Sequence, residues 1–200
     1  MATVALKLGP GDHGRPVSHD DFESADFAPG FKYEIIDGRV YVSQEPDPVE
    51  NELELWLFEK LWDDSRSESS PLNHVTNKAR VHVPGRAAET VPEPDIAAYT
   101  DYPLARRFGG TKWAEVSPVL VCEILTGQPS KDLERNVDLY LAIPSIREYW
   151  VLDGRENPAE PTLIQHRRYG KRWIVRSYAY GSTFTTKLLP GFSLVINPQV

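Results

Sequence analysis

Two strand-like segments on either side of a helical pattern constrain the fold of this chain most strongly. Residues 119–125 form its most apolar stretch, and residues 147–152 form a second strand-like run. Between them a helix is predicted over residues 129–142, with four apolar side chains on one side: Leu133, Val137, Tyr140 and Leu141. A helix between two strands is a crossover connection, which joins parallel neighbours in a sheet. The sequence therefore predicts an α/β fold with a parallel pair in the middle of its sheet.

Antiparallel strands and two further helices are predicted around this pair. Asp37-Gly38 is a hairpin signal between two alternating segments, and Ser18 is typical of a helix N-cap. The predicted elements are helices over residues 19–25 and 49–63, and strands over residues 33–36, 39–43, 73–83, 95–99, 162–169, 171–180, 185–189 and 192–196. The result is a mixed sheet flanked by helices, with a C-terminal antiparallel hairpin extension.

The length and composition of the chain fit one folded domain. Its 200 residues are enough for one proper core, and 40% hydrophobic with 26% charged residues excludes the composition of a disordered chain. Residues 1–17 carry glycine, proline and polar residues without periodicity, so we expect a loosely ordered N-terminal arm. The single domain is expected to span residues 18–200.

Several classes of protein are excluded by what the sequence lacks. No apolar run approaches the roughly 20 residues that cross a bilayer, and the N-terminus has no signal-peptide core, so a cytoplasmic protein is expected. Cys122 is the single cysteine, which excludes an internal disulfide. The five histidines show no zinc-ligand spacing. Any bound metal should therefore have oxygen ligands, which favours Mg²⁺ or Mn²⁺.

The charge distribution bears on nucleic-acid binding. A net charge of −7 argues against broad, non-specific attraction to phosphates. Basic residues are nevertheless concentrated in the C-terminal half, including Arg147, Arg155, Arg167, Arg168, Lys171, Arg172 and Arg176. They form either a local basic face or ordinary solvated strand edges.

Two carboxylates occupy positions in strands where apolar residues are expected. Asp95 follows Pro94 at the start of one strand, and Glu123 interrupts the most apolar strand. Burying a carboxylate costs several kcal/mol unless a cation or hydrogen-bond donors compensate it. Asp132 and Asn136 fall together beside the buried face of the next helix. This set is typical of the acidic cluster of a Mg²⁺-dependent phosphodiesterase.

Each of these residues also has a purely structural interpretation. Asp95 is a possible turn residue, Asp132 a helix-start carboxylate, and Asn136 a solvated helix residue. Glu123 could form a buried ion pair with Arg135. Other structural alternatives are a hairpin brace for Glu34 and core positions for Tyr149, Trp150 and Cys122.

The chain resembles the Uma-two family of putative restriction endonucleases, within the PD-(D/E)xK nuclease superfamily, over roughly residues 18–196. Five segments occur in the family's order: residues 33–40 (Tyr-Glu-Ile-Ile-Asp-Gly-Arg-Val), 94–96 (Pro-Asp-Ile), 121–125 (Val-Cys-Glu-Ile-Leu), the pair Asp132 and Tyr140, and 147–153 (Arg-Glu-Tyr-Trp-Val-Leu-Asp). The resemblance implies a restriction-endonuclease-like mixed sheet with a metal at one end, DNA as substrate, and a homodimer as the usual assembly.

The resemblance also implies roles for individual residues. Asp95 and Glu123 would coordinate Mg²⁺ or Mn²⁺, Glu34 would complete the site, and Asp132 would support it. The family's lysine is absent from both expected positions, because Leu125 and Asn136 occupy them. Candidate replacements are Lys131, Lys78 and Lys112.

Loss of that lysine leaves two alternatives to an active nuclease. Asn136 can hydrogen-bond a water or phosphate but cannot act as a cationic acid, so a weakened enzyme is one expectation. A catalytically inactive module of the same fold that binds DNA or protein is another. A structural dimerisation domain would need neither metal nor DNA.

Overall fold

The computed structural model of the protein describes residues 5–106, 108–127 and 131–199, without the side chains of Lys131 and Asp132. The α-helices are α1 (His19–Glu23), α2 (Pro48–Ser65) and α3 (Asn136–Leu141). A π-helix at Lys131–Arg135 precedes α3, and short 3-10 turns lie at Pro10–Asp12, Leu104–Arg106 and Trp113–Glu115. The strands are β1 (Lys7–Leu8), β2 (Asp26–Phe27), β3 (Phe31–Ile36), β4 (Arg39–Gln44), β5 (His74–Asn77), β6 (Ile96–Tyr99), β7 (Leu120–Leu125), β8 (Glu148–Asp153), β9 (Thr162–Tyr169), β10 (Arg172–Tyr178), β11 (Thr183–Thr185) and β12 (Ser193–Val195).

A six-stranded mixed sheet forms the centre of the protein, in the order β10-β9-β8-β7-β6-β5. Strands β7 and β8 pair in parallel, and the other neighbours are antiparallel. The predicted parallel pair and mixed α/β sheet are therefore confirmed. The predicted C-terminal hairpin, β9 and β10, extends this sheet to its edge, while β11 and β12 form a separate antiparallel pair.

The two faces of the sheet carry separate hydrophobic cores because side chains alternate along each strand. On β7, Leu120, Cys122 and Ile124 pack in a core with the buried side of α2. Val121 and Leu125 pack in the opposite core with Leu139 and Tyr140 of α3. Glu123 shares this second face, so a charged group points into the α3 side of the protein.

The hairpin of β3 and β4 packs beside the sheet and carries part of the site. Its turn has positive φ at Asp37 (50°) and Gly38 (69°), as the predicted Asp-Gly turn requires. An isolated bridge between Ile35 and Val91 attaches the hairpin to the segment that leads into β6. This attachment brings the side chains of β3 to the start of β6.

The N-terminal segment joins the same hairpin. Strand β1 pairs with β2, and Leu8 is 2% exposed in a third apolar cluster with residues of β3 and β4. Ser18 caps α1 by accepting a hydrogen bond from the Asp21 N–H, as the sequence predicts. The division of the chain at residue 17 stays a prediction.

Two predicted elements differ from the observed ones. The strand predicted over residues 73–83 ends at Asn77, because Lys78 has φ of 54° and turns the chain out of the extended conformation. The predicted helix over residues 129–142 is a π-helix followed by α3; its first two positions lie outside the described residues. Within the described part, no helix combines the length and the apolar character that a bilayer span needs.

Candidate active site

Asp95 and Glu123 lie at the same end of the sheet. Strands β6 and β7 are antiparallel with Ile96 opposite Cys122, and the next position across the pair joins residues 95 and 123. The Oδ2 atom of Asp95 accepts a hydrogen bond from the Ile124 N–H at 2.8 Å. Asp95 is 8% exposed and Glu123 is 1% exposed. The fold thus brings together two carboxylates that are 28 positions apart in the sequence.

A lysine that is not among the predicted site residues completes this group. Lys32 of β3 donates a hydrogen bond from Nζ to Asp95 Oδ1 at 2.9 Å, and its side chain is 13% exposed. Burial opposes the charge of Lys32, but attraction to Asp95, Glu123 and Glu34 outweighs it, so the pKa of Lys32 lies well above its ordinary value. The ammonium group is therefore a fixed positive charge among the acids.

A local signal for Lys32 was present in the sequence. Lys32 directly precedes the strand predicted over residues 33–36 and is two positions from Glu34, so an extended chain places both side chains on one face. The docking of that hairpin against β6 depends on tertiary contacts, so the alternation alone did not indicate which acid Lys32 would meet.

Neutral donors hold the Glu123 carboxylate in place. Its Oε1 atom accepts hydrogen bonds from Asn136 Nδ2 and from the Tyr140 hydroxyl, both at 2.8 Å. Burial, together with the negative charge of Glu123, raises the pKa of Tyr140, so the phenol stays a donor. Asn136 is fully buried, and the alternative of a solvated helix residue is therefore wrong. Asn136 and Tyr140 orient Glu123.

Glu34 lies behind this group with both oxygens engaged. Its Oε1 atom accepts from the Glu93 N–H at 2.9 Å, and its Oε2 atom accepts from Arg135 Nη2 at 3.0 Å. The Arg135 guanidinium also lies over the ring of Tyr41, 4.3 Å from its centroid. Arg135, the alternative partner for Glu123, thus forms an ion pair with Glu34. The role of Glu34 as a metal ligand stays a prediction.

Two further carboxylates approach from the first turns of α2. Asp47 caps this helix, and Glu50 and Glu54 lie one turn apart on it, both half-buried. The pKa of each is raised, first by burial and then by the negative charge of Asp95. Thr126 donates to Glu50 at 2.9 Å, and Asn77 donates to Glu54 at 3.3 Å. The site therefore carries more negative than positive charge near Asp95.

A cleft of about 530 Å³ opens beside Asp95. It is lined by aromatic and apolar residues of β2, β3 and the segment after β4, by the start of α2, and by the segment that follows β5. Lys78, one of the predicted replacement lysines, lines this cleft together with Lys32. Lys112 lies instead in the loop between the end of β6 and the start of β7, at the end of these strands away from Asp95 and Glu123.

The residues present fit a hard divalent cation by donor type. Mg²⁺ is commonly held by one or two carboxylates with waters and substrate phosphates, and Asp95 with Glu123 supplies such a pair. Among the described residues no group of three His, Cys, Asp or Glu side chains is arranged to hold a metal. The Lys32 ammonium shows that this acidic group accommodates a cation. The predicted side chains of Lys131 and Asp132 lie outside the described residues.

Comparison with known proteins identifies the relatives of this chain. No curated protein matches it. A crystal structure of a putative nuclease from Anabaena variabilis ATCC 29413 is similar, with 15% sequence identity, a TM-score of 0.63, and coverage of 92% of this chain and 96% of that one. This likeness confirms the predicted nuclease-like fold. A family model described as "Uma2: Putative restriction endonuclease" matches residues 19–197, and this chain therefore belongs to the Uma2 family.

Proposed function

We propose that this protein is an endonuclease that hydrolyses DNA phosphodiester bonds with Mg²⁺ or Mn²⁺. The observation that carries the proposal is the convergence of Asp95, Glu123 and Lys32 at one buried end of the sheet. Membership of the Uma2 family and the nuclease-like fold support a nuclease in general. The metal requirement and the DNA substrate are the finer part of the proposal.

Asp95 and Glu123 would hold the metal, and the surrounding residues position them. When bound, the metal neutralises charge on the scissile phosphate and lowers the pKa of a water. Asn136 and Tyr140 fix one oxygen of Glu123, and the Ile124 N–H fixes Asp95. These contacts reduce the reorganisation that the carboxylates need during the reaction.

Lys32 takes the place of the lysine that is missing from positions 125 and 136. Its ammonium already lies 2.9 Å from Asp95, close enough to donate to an oxygen of a phosphate bound by the metal that the acids would hold. A fixed cation stabilises the negative charge that develops on the phosphate in the transition state. A lysine supplied by β3 therefore favours an active enzyme over the inactive module.

Substitution of Asp95 tests this proposal. We expect Asp95→Asn to lower Mn²⁺-dependent cleavage of plasmid DNA by roughly a thousandfold, because the neutral amide cannot replace a carboxylate ligand. Calorimetry should show loss of Mg²⁺ binding in the same variant. The matched control is Asp101→Asn, an exposed residue beyond the other end of β6. Unchanged metal binding and cleavage in Asp95→Asn would refute the proposal.

One observation favours the inactive alternative, a DNA- or protein-binding module. The family's helical lysine position holds Asn136, which is buried and bonded to Glu123. Asn136→Lys separates the two functions in the same plasmid assay. Cleavage that appears only in this variant supports the module, whereas Asp95-dependent cleavage by the parent excludes it. The homodimer and the supporting roles of Asp132 and Lys131 remain proposals.

A further inference from the structure

Lys78 stands out in the cleft beside Asp95 because of its backbone and its charge. Its φ of 54° lies in the left-handed region that side chains other than Gly, Asn and Asp rarely adopt. Asp37 is the other non-glycine residue with positive φ in the described part, and it belongs to an Asp-Gly turn. Lys78 directly follows β5, where its left-handed conformation turns the chain out of the strand. Residues held in this way concentrate at functional sites.

The ammonium of Lys78 is available to a ligand. Lys78 is exposed, lines the cleft, and makes no hydrogen bond or ion pair with another described residue. The neighbouring cations are already engaged: Arg80 pairs with Glu23 and Glu93, and Lys32 pairs with Asp95. Lys78 thus supplies a positive charge that no acid among the described residues neutralises by contact; its charge acts at longer range on Glu54, where it opposes the rise of the pKa.

The rest of the cleft offers aromatic surface for a planar group. Phe27 and Phe31 line it and are half-buried, and the ring of Phe27 lies 4.9 Å from that of Tyr33, which also lines it. Aromatic side chains stack on the bases of single strands regardless of sequence. Asn51 and Asn77 add amide donors and acceptors to the same cleft.

The size and charge of the cleft favour an unpaired nucleotide over a duplex. Its volume of about 530 Å³ suits a small ligand group, and a duplex, whose bases are already paired and stacked, offers no free base face to the aromatic rings of the cleft. Four acids line it, Glu45, Glu54, Glu93 and Asp95, which disfavours a continuous run of phosphates. The stacking of a base on an aromatic ring depends less on the net charge of the cleft than the binding of phosphates by cations does.

From these observations we infer that the cleft binds one unpaired nucleotide of the DNA substrate, with its base on Phe31 and its phosphate on Lys78. The inference rests on the proposed function and specifies its substrate class: single-stranded DNA, or a duplex with a frayed or tailed end. A nucleotide held there lies beside Asp95, so the adjoining phosphodiester reaches the candidate active site.

Binding measurements with two variants test this inference. Lys78→Asn keeps a residue that tolerates left-handed backbone but removes the charge, and Phe31→Leu keeps apolar volume but removes the ring. The control is Lys187→Asn, an exposed lysine beyond β11. Fluorescence anisotropy in Ca²⁺ uses one labelled 12-mer as a single strand, as a blunt duplex and as a tailed duplex. We expect each cleft variant to weaken single-strand binding roughly tenfold, and Lys187→Asn to leave it unchanged.

The outcomes separate this inference from the proposed function. Blunt duplex bound as tightly as the single strand, or cleft variants that bind like Lys187→Asn, would overturn the inference even where Asp95-dependent cleavage persists. Single-strand binding that depends on Lys78 and Phe31 supports it even if no cleavage occurs, in which case only the proposed catalysis fails. Circular dichroism melting of each variant identifies loss of folding.

Discussion

Two buried carboxylates on neighbouring parallel strands, Glu123 on β7 and Glu148 on β8, show how differently the two ends of the sheet are built. Leu120 is opposite Glu148, while Glu123 is opposite Val151 further along the pair, so the two acids lie toward opposite ends. Glu148 is 2% exposed and Glu123 is 1% exposed. Their burial is the same, and their surroundings differ.

Neutral donors surround Glu148. Its Oε2 atom accepts from Trp150 Nε1 at 2.8 Å and from Gln165 Nε2 at 2.9 Å, and its Oε1 atom accepts from the Thr186 hydroxyl at 2.6 Å. These donors come from β8, β9 and the segment after β11. Glu148 therefore joins the C-terminal strands to the sheet, which is a structural role.

Glu123 also accepts hydrogen bonds from two neutral donors, Asn136 and Tyr140, but charged groups lie beside it as well. Asp95 and Glu34 lie close enough for their charges to act on the same ammonium, that of Lys32. Grouped acids repel one another, and one lysine and one arginine offset that repulsion only in part. The Glu148 end is built for stability, whereas the Glu123 end keeps a negative potential that a bound cation would relieve.

The largest effect on stability is expected at the structural end. Glu148→Ala leaves two buried donors and one half-buried donor without their acceptor and should lower the free energy of unfolding by about 3 kcal/mol. Urea denaturation of this variant and of the exposed control Glu156→Ala measures the difference. Mg²⁺ affinity of the folded variant should equal that of the parent. If Glu148→Ala lowers the free energy of unfolding by no more than Glu156→Ala does, the structural role of Glu148 is contradicted.

A smaller loss of stability, which depends on the metal, is expected from removing the Lys32 ammonium at the Glu123 end of the sheet. Lys32→Met leaves Asp95, Glu123 and Glu34 without the ammonium, so the free energy of unfolding in EDTA should fall by about 2 kcal/mol. Saturating Mg²⁺ should recover part of this loss, because the metal replaces the missing charge. Lys187→Met is the exposed control. Equal stability of Lys32→Met and the parent in EDTA would show that Lys32 does not offset the acids.

The same contrast explains which parts of the molecule could be predicted from sequence. The parallel pair and the β3–β4 hairpin follow from local alternation and turn chemistry, both of which short segments encode. Asp95 and Glu123 could be singled out because acids in apolar strands are costly. Lys32 could not be assigned to them, because its approach depends on how the hairpin docks through Ile35 and Val91.

The end of β5 could not be predicted from the pattern of residues either. The alternation over residues 73–83 continues past Asn77, but the chain leaves the sheet at Lys78 through its backbone conformation. Beyond it, the Val81 and Val83 N–H groups bond to Pro92 and Thr90. Their apolar spacing fits both a strand and an irregular segment packed in the core, so periodicity did not distinguish the two.

The smallest change in stability is expected from Mg²⁺ binding. Its dependence on Glu123 and on Glu148 compares the two ends of the sheet directly. At ten times its dissociation constant, Mg²⁺ should stabilise the parent by about 1.4 kcal/mol, which raises Tm by roughly 3–5 °C in a domain of this size. Glu123→Gln should abolish this rise, because it removes a proposed ligand and leaves a neutral side chain of the same shape. Glu148→Ala should keep the full rise from its own lower starting Tm. Calorimetric melting in MgCl₂ and in KCl of matched ionic strength measures the Tm rise of both variants. A Tm rise that persists in Glu123→Gln would place the cation away from β7 and remove the functional distinction between the two ends.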